Sequence, residues 1–231
     1  MLLWEPSEEW KKSTNLYAFM KWLEEKKGLS FADYNELWRW SVESLEEFWE
    51  ACWQYVNIQS SAPYQQVLAD DRMPGAKWFP GAKVNYAEHV FRNHRDDQPA
   101  IYFRSERHAL KTMSWQELRH QTARVAHWLK SVGVRPGDRV VAYMPNLPET
   151  VVIFLACASI GAIWSCCSPD FGTGSVLERF RQIEPKVMFA VDGYQYKGKR
   201  HGRLDVVREI QQALPTLQWT VIIPYDDPSV Q

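Results

Sequence analysis

The chain has 231 residues, 45% of them hydrophobic and 24% charged, enough to bury a real core as one large domain or two smaller ones. Its 27 basic and 28 acidic side chains leave a net charge of −1, so charge supplies no drive toward nucleic acid or an anionic membrane surface. Cys52, Cys157, Cys166 and Cys167 lack zinc-ligand spacing, and the start MLLWEPSEEWKK, without a basic start or apolar core, is not expected to be a signal peptide; reduced, buried thiols in a cytoplasmic protein are expected.

The amino-terminal part, residues 1–57, reads as a helical layer rich in Trp (Trp4, Trp10, Trp22, Trp38, Trp40, Trp49 and Trp53). Asn15 is placed to cap a helix from Leu16 to Lys27, stopped by Gly28. Asp33 opens a second helix through Trp40, and Ser44 with Glu47 has the capping-box spacing for a third. On that third helix Leu45, Phe48, Trp49, Cys52, Trp53 and Val56 recur at three-four spacing as one apolar stripe, the pattern of a core face. So many Trp side chains mean either a packed helical layer or an interaction surface. Residues 58–98 read as a connecting segment and a helix: Ile58 to Val84 carries Pro63, Pro74, Gly75, Pro80 and Gly81 without a period, and Asn85 then caps a helix through Asn93.

From Pro99 the pattern alternates. Ala100–Arg104 and Ala109–Met113 read as a hairpin, and Ser114 with Glu117 as a capping box for a helix to Val132 that Gly133 stops. Strands are expected at Arg139–Tyr143, Ile163–Cys166, Val187–Val191 and Thr220–Ile223. Helices fill the intervals: one opened by Pro148, one capped by Ser175 with Glu178 and ended by Pro185, and one from Leu204 to Leu214. Near-continuous apolar strands between amphipathic helices specify an α/β fold with a mostly parallel sheet covered by helices on both faces, preceded by the helical Trp-rich cap. Residues 99–231 are the α/β part. The longest apolar run, Val151 to Cys167, is shorter than the roughly 20 residues a membrane span needs.

Two segments lie between a strand end and the helix it opens, where such sheets meet ligands, and a third stands out by its charge. Met144–Glu149 follows one strand, but Asn146 and Glu149 also suit plain helix capping. Asp170–Ser175 contains two glycines that let a backbone approach an anion, yet it matches neither standard phosphate motif, so a tight turn is the simpler reading. Tyr196–Arg203, with Lys197, Lys199, Arg200 and Arg203, is the one dense basic loop; it can hold a phosphate group or be an ordinary solvated loop. The six His are scattered, and no pair of residues demands acid–base chemistry, so no catalytic residue and no metal ligand is assigned.

Five segments in this order and spacing resemble the start of the adenylate-forming acyl-CoA synthetases: Trp78–Glu88, Ala100–Phe103, Thr112–Leu118, Gly137–Asn146 and Gly161–Val187. Trp164 with Cys166-Cys167-Ser168-Pro169-Asp170 departs from the acetate-activating branch and is similar to the acetoacetate-activating one. The resemblance implies a ligase that uses ATP and Mg²⁺ to make an acyl-adenylate and then transfers the acyl group to coenzyme A. It also implies that Tyr196-Lys197-Gly198-Lys199 stands where relatives place an Arg-x-Gly-Arg contact to the coenzyme A nucleotide, which makes Lys199, with Lys197 and Arg200, the candidate cofactor-binding residues. Tyr196 replaces the first Arg of that pattern. The family's Gly-rich phosphate loop and catalytic Lys do not occur in these residues, so the chain is expected to be an amino-terminal portion, incomplete in its α/β part and inactive alone. Its small-molecule substrate is expected to be acetoacetate, with no nucleic acid or membrane partner. The alternatives are a portion of an acetyl- or propionyl-CoA synthetase and a non-catalytic interaction module.

Overall fold

The computed structural model describes residues 3–227 and 229. They form two compact units, one ending at Val84 and the other beginning at Asn85.

The first unit holds α1 (Glu8–Lys12), α2 (Asn15–Lys27), α3 (Tyr34–Glu43), α4 (Leu45–Tyr55), β1 (Leu68–Asp70) and β2 (Lys77–Trp78). Phe19, Leu23, Leu37 and Ala51 form its buried centre, ringed by Trp22, Trp40, Phe48 and Tyr55. Two expected caps move. Thr14, not Asn15, caps α2: Thr14 is extended and its Oγ1 accepts the Tyr17 N–H at 3.2 Å, while Asn15 is already helical. Ser44 makes no side-chain cap, because one residue closes α3 and opens α4 with its backbone at φ −119°, ψ 60°. Glu47 instead accepts the Trp40 indole N–H at 3.2 Å. The α4 stripe serves two faces rather than one. Phe48 and Cys52 join the buried centre, while Trp53 packs on Tyr64 and Phe79, with ring centroids 5.3 and 4.5 Å away. Leu45 and Val56 stay exposed. The segment read as having no period contains an antiparallel pair, β1 with β2; strands this short leave no alternation to detect.

The second unit runs α5 (Tyr86–Arg92), β3 (Ile101–Phe103), β4 (Lys111–Met113), α6 (Trp115–Ser131), β5 (Arg139–Tyr143), α7 (Pro148–Ser159), β6 (Ile163–Cys167), α8 (Thr173–Ile183), β7 (Val187–Val191), β8 (Gly193–Tyr196), β9 (Lys199–Gly202), α9 (Leu204–Ala213) and β10 (Trp219–Ile223). Among the described residues β10, β7, β5 and β6 pair in that order, all parallel. Side chains alternate across the sheet. Val140, Ala142, Val187, Phe189 and Val191 face Leu129 of α6 and Ile153, Ala156 and Cys157 of α7. Val141, Tyr143, Met188 and Ala190 face Val176, Leu177 and Phe180 of α8 and Val207 and Ile210 of α9. The α/β sheet covered on both faces, and the helical layer before it, are therefore as the sequence implies.

The Ser114–Glu117 capping box is present in full. The one expected at Ser175 is not: α8 starts at Thr173 behind Gly172 and has no side-chain cap, which puts Ser175 inside the first turn. Cys157 and Cys167 are buried as expected, but Cys52 is only half-buried and Cys166 is exposed, since β6 lies at the sheet edge.

Candidate functional site

The first crossover, β5–α7–β6, moves one way along the sheet; the next two, through α8 and α9, return the other way past β5. The strand order thus reverses between β5 and β7, and in open α/β sheets ligands bind outside the carboxyl ends of the strands at such a point. The residues that leave those ends are Met144–Leu147, Ser168–Gly172, Asp192 and Pro224–Asp226.

Asp192, the first polar residue after β7, organises this end. It is 5% exposed, and its Oδ1 accepts the N–H groups of Tyr225 and Asp226, each at 2.8 Å. Its Oδ2 accepts the N–H of Asp227 at 2.5 Å. Three charge-assisted bonds to one carboxylate fix the chain as it leaves β10. Beside it the buried Tyr143 hydroxyl lies 2.7 Å from the Pro169 carbonyl and 2.8 Å from that of Phe171. Arg203 Nε donates to the same Pro169 carbonyl at 2.6 Å. The Asp170–Ser175 turn is thereby pinned through its carbonyls.

The basic segment is not a loose loop. Tyr194 pairs with His201 and Tyr196 with Lys199 in an antiparallel hairpin, β8 with β9. Lys197 and Gly198 are its two turn residues, at φ +49° and +72°. Positive φ at both central positions matches the right-handed twist of the strands, which is why a Gly stands there. Glu106, in the β3–β4 connection, accepts the N–H groups of Lys197 and Gly198 at 2.9 and 2.8 Å. Arg200 reaches Asp226 through Nε, at 3.0 and 2.8 Å from the two carboxylate oxygens, and through Nη2 at 2.7 Å. Asp226 also takes Arg107 Nη1 at 2.5 Å. Its partnership with Asp226 holds the Arg200 guanidinium protonated even more firmly than usual.

The three candidate residues therefore lie together on one hairpin at the carboxyl end of the sheet, in different states. Lys199 is exposed, and among the described residues no carboxylate pairs with it. Lys197 lies with Nζ 5.4 Å from the centre of the Tyr196 ring. Arg200 is engaged with Asp226. Glu106, Arg107, Asp192 and Asp226 were not singled out in the sequence. The one signal for Asp192 was its place, an acid directly after an apolar strand; the others lie in short loops, where only the fold brings them to the hairpin. At the Met144–Glu149 segment neither Asn146 nor Glu149 caps α7; Leu147 occupies the cap position without a side-chain bond.

Next to this network lies a cavity of about 330 Å³ lined by His108, Lys111, Glu149, Pro148 and Tyr225. The His108 ring is 5.3 Å from that of Tyr225. Burial, then Lys111 and Arg107, lower its pKa below the ordinary histidine value, against a smaller opposing pull from Glu149. Among the described residues no group of three or more His, Cys, Asp or Glu could hold a metal ion, and no helix is long and apolar enough to cross a membrane.

Residues 87–231 match the family model described as AMP-binding enzyme. The chain belongs to the AMP-binding enzyme family. A second model, Acetyl-coenzyme A synthetase N-terminus, matches residues 34–90 of this AMP-binding enzyme chain and so takes in α3 and α4. Curated relatives include Acetoacetyl-CoA synthetase of Mus musculus, 41% identical over 97% of this chain and 34% of its own length. The Acetoacetyl-coenzyme A synthetase of Rhizobium meliloti is 41% identical over 96% of this chain and 34% of its own. The solved structure of Acetoacetyl-CoA Synthetase from Streptomyces lividans superposes with a TM-score of 0.94 at 45% identity, covering 99% of this chain and 36% of that one. The chain spans about a third of the length of these relatives.

Proposed function

We propose that the chain acts as the amino-terminal third of an acid–thiol ligase that activates acetoacetate with ATP and passes the acyl group to coenzyme A. The observation that carries this reading is the agreement of nearly the whole chain with proteins named acetoacetyl-CoA synthetase, at 41% identity in sequence and 45% in a superposed structure. A carboxylate is a poor electrophile. ATP converts it to a mixed anhydride with release of pyrophosphate, and the coenzyme A thiol then attacks the acyl carbon with release of AMP. Mg²⁺ would offset phosphate charge in the first step, but the residues described here contain no carboxylate cluster fit to hold it, so no ligand for it is assigned to them.

What this chain contributes, in our reading, is the nucleotide end of coenzyme A. Lys199 meets the 3′-phosphate, with Lys197 beside it and Arg200 behind it on the same hairpin. A phosphate carries close to two negative charges near neutral pH, and an exposed ammonium with no carboxylate partner among the described residues is the group free to meet it. Four free cysteines suit a cytoplasmic setting.

The test has two parts. The 231-residue chain alone should give no acetoacetate-dependent ATP–pyrophosphate exchange above a protein-free control; measurable exchange would show that the chain is self-sufficient and overturn its role as a portion. The complete ligase should exchange with acetoacetate in preference to acetate and propionate, and in it Lys199→Ala should raise the KM for coenzyme A about tenfold, the scale of one charge-assisted contact. With dephospho-coenzyme A the variant and the parent should be alike. Preference for acetate, or an equal penalty with dephospho-coenzyme A, would count against the substrate and the residue assignment respectively.

A further inference from the structure

Arg200 and Lys199 are adjacent on β9, yet they stand in different surroundings. The Arg200 guanidinium makes three contacts with the Asp226 carboxylate and a fourth, from Nη2 at 3.2 Å, to the Asp226 carbonyl. The Asp226 side chain is 9% exposed, against 62% for Arg200. Asp226 is itself held from behind: its backbone N–H is bonded to Asp192, and Arg107 occupies its Oδ1. The junction has no slack. A Cβ added at Gly193 would lie 2.9 Å from the His201 carbonyl and 3.2 Å from Asp226 Cβ. A continuous series of contacts thus runs from the sheet through Asp192, the 225–227 backbone, Asp226 and Arg200 to β9. It ends one residue from Lys199, which has no carboxylate partner among the described residues.

Resting on the coenzyme A reading above, we infer that Asp226 and Arg200 are positioning residues: together they form a strut that fixes the β8–β9 hairpin, and Arg200 does not itself bind the phosphate. An Arg that met the phosphate would have to share or surrender a well-made, partly shielded pair, which costs more than recruiting an ammonium that has no partner. What the strut supplies is order. A lysine stem on a fixed strand has less freedom to lose when it closes on its ligand than one on a swinging loop. Glu106 completes the hold at the turn by accepting two backbone N–H groups.

The two roles for Arg200 differ in sign. If Arg200 binds the phosphate, Asp226→Asn releases a competing carboxylate, and the KM for coenzyme A falls or stays level. If Arg200 is a strut, Asp226→Asn loosens the hairpin, and that KM rises. The experiment measures KM for coenzyme A and for dephospho-coenzyme A in the complete ligase, for Asp226→Asn, Arg200→Gln, the double variant and Lys199→Ala. We expect each of the first two to raise the KM for coenzyme A about threefold to tenfold, the scale of ordering one or two side chains. The double variant should be no worse than either single one, because both remove the same strut, and all of these differences should vanish with dephospho-coenzyme A. An unchanged or lower KM for Asp226→Asn beside a raised one for Arg200→Gln overturns the strut, as does additivity of the pair. A Lys199→Ala variant with unchanged KM overturns the hairpin reading itself and the strut with it. Should Asp226→Asn not fold, Arg200→Gln carries the test: Lys199→Ala must then cost less on that background than on the parent, and equal costs refute the inference.

Discussion

Cys157 is fully buried among the residues of α6, β5 and α7. Burial pushes its thiol up from 9.0 to about 12, because a thiolate there would lose its hydration without gaining a partner. Below pH 9 both folded and unfolded chains keep this proton, and the thiol's burial is then no penalty. Above pH 9 the unfolded chain ionises first, so stability should fall as pH rises toward 12. Cys157→Ala should flatten that part of the profile, which urea titrations at pH 8, 9 and 10 can measure; an unchanged slope would place the alkaline loss elsewhere. The same burial makes the thiol inert, so in the folded protein Cys157 should be the slowest of the four cysteines to react with iodoacetamide. Asp192 and Asp226 lie at the opposite end of legibility. Each is buried, but its partners come from parts of the chain distant in sequence, and no spacing along the chain encodes such a meeting.

Among elements, two Ser–Glu pairs at identical spacing behave differently, and the contrast is physical. Ser114 is extended, at φ −72° and ψ 161°, and its Oγ accepts the Glu117 N–H at 3.2 Å while Glu117 accepts the Ser114 N–H at 2.8 Å. Ser44 is caught between two helices with no residue to spare, so its side chain cannot turn toward the amides of α4. Ser114→Ala should therefore destabilise the protein by about 1 kcal/mol, and Ser44→Ala by less than about 0.5 kcal/mol. Chemical denaturation of the two variants checks this; equal losses would mean that the Ser44 cap forms in solution. The helices of the second unit and its main strands were legible because each has a long apolar period or a strong stop. The β8–β9 hairpin was not, because Tyr196–Arg203 reads as a polar run, although Lys197-Gly198 at its centre is where a two-residue turn needs positive φ. What the sequence showed as a cluster of cations was a hairpin with one of those cations already paired.

At the scale of the whole molecule the legible feature was the winding. Four near-continuous apolar strands separated by amphipathic helices leave little choice but a parallel sheet with two covered faces, because each strand must bury both sides and each crossover must be right-handed. The positions of the units were less legible, since the 58–84 segment has short strands and aromatic contacts rather than periodicity. The second unit nevertheless builds several buried clusters from its own residues. Its buried clusters on both faces of the sheet, and the one beneath α5, α6 and α7, are made wholly of residues from 87 onward. The AMP-binding enzyme match begins at residue 87, so the family boundary and the packing boundary coincide closely. A segment that closes its own core can fold alone. Residues 85–231, expressed without the first unit, should therefore unfold in one cooperative transition with a native near-ultraviolet signal from Tyr143, Trp128 and Trp164. Loss of Trp128 packing would show first, since its ring lies edge-on to Phe189 at 5.8 Å and to Trp219 at 6.3 Å, bridging β7 and β10 at one edge of the sheet. A broad transition with dye-binding apolar surface would mean that the sheet needs residues outside this segment to close, and that the autonomy of the unit is only apparent.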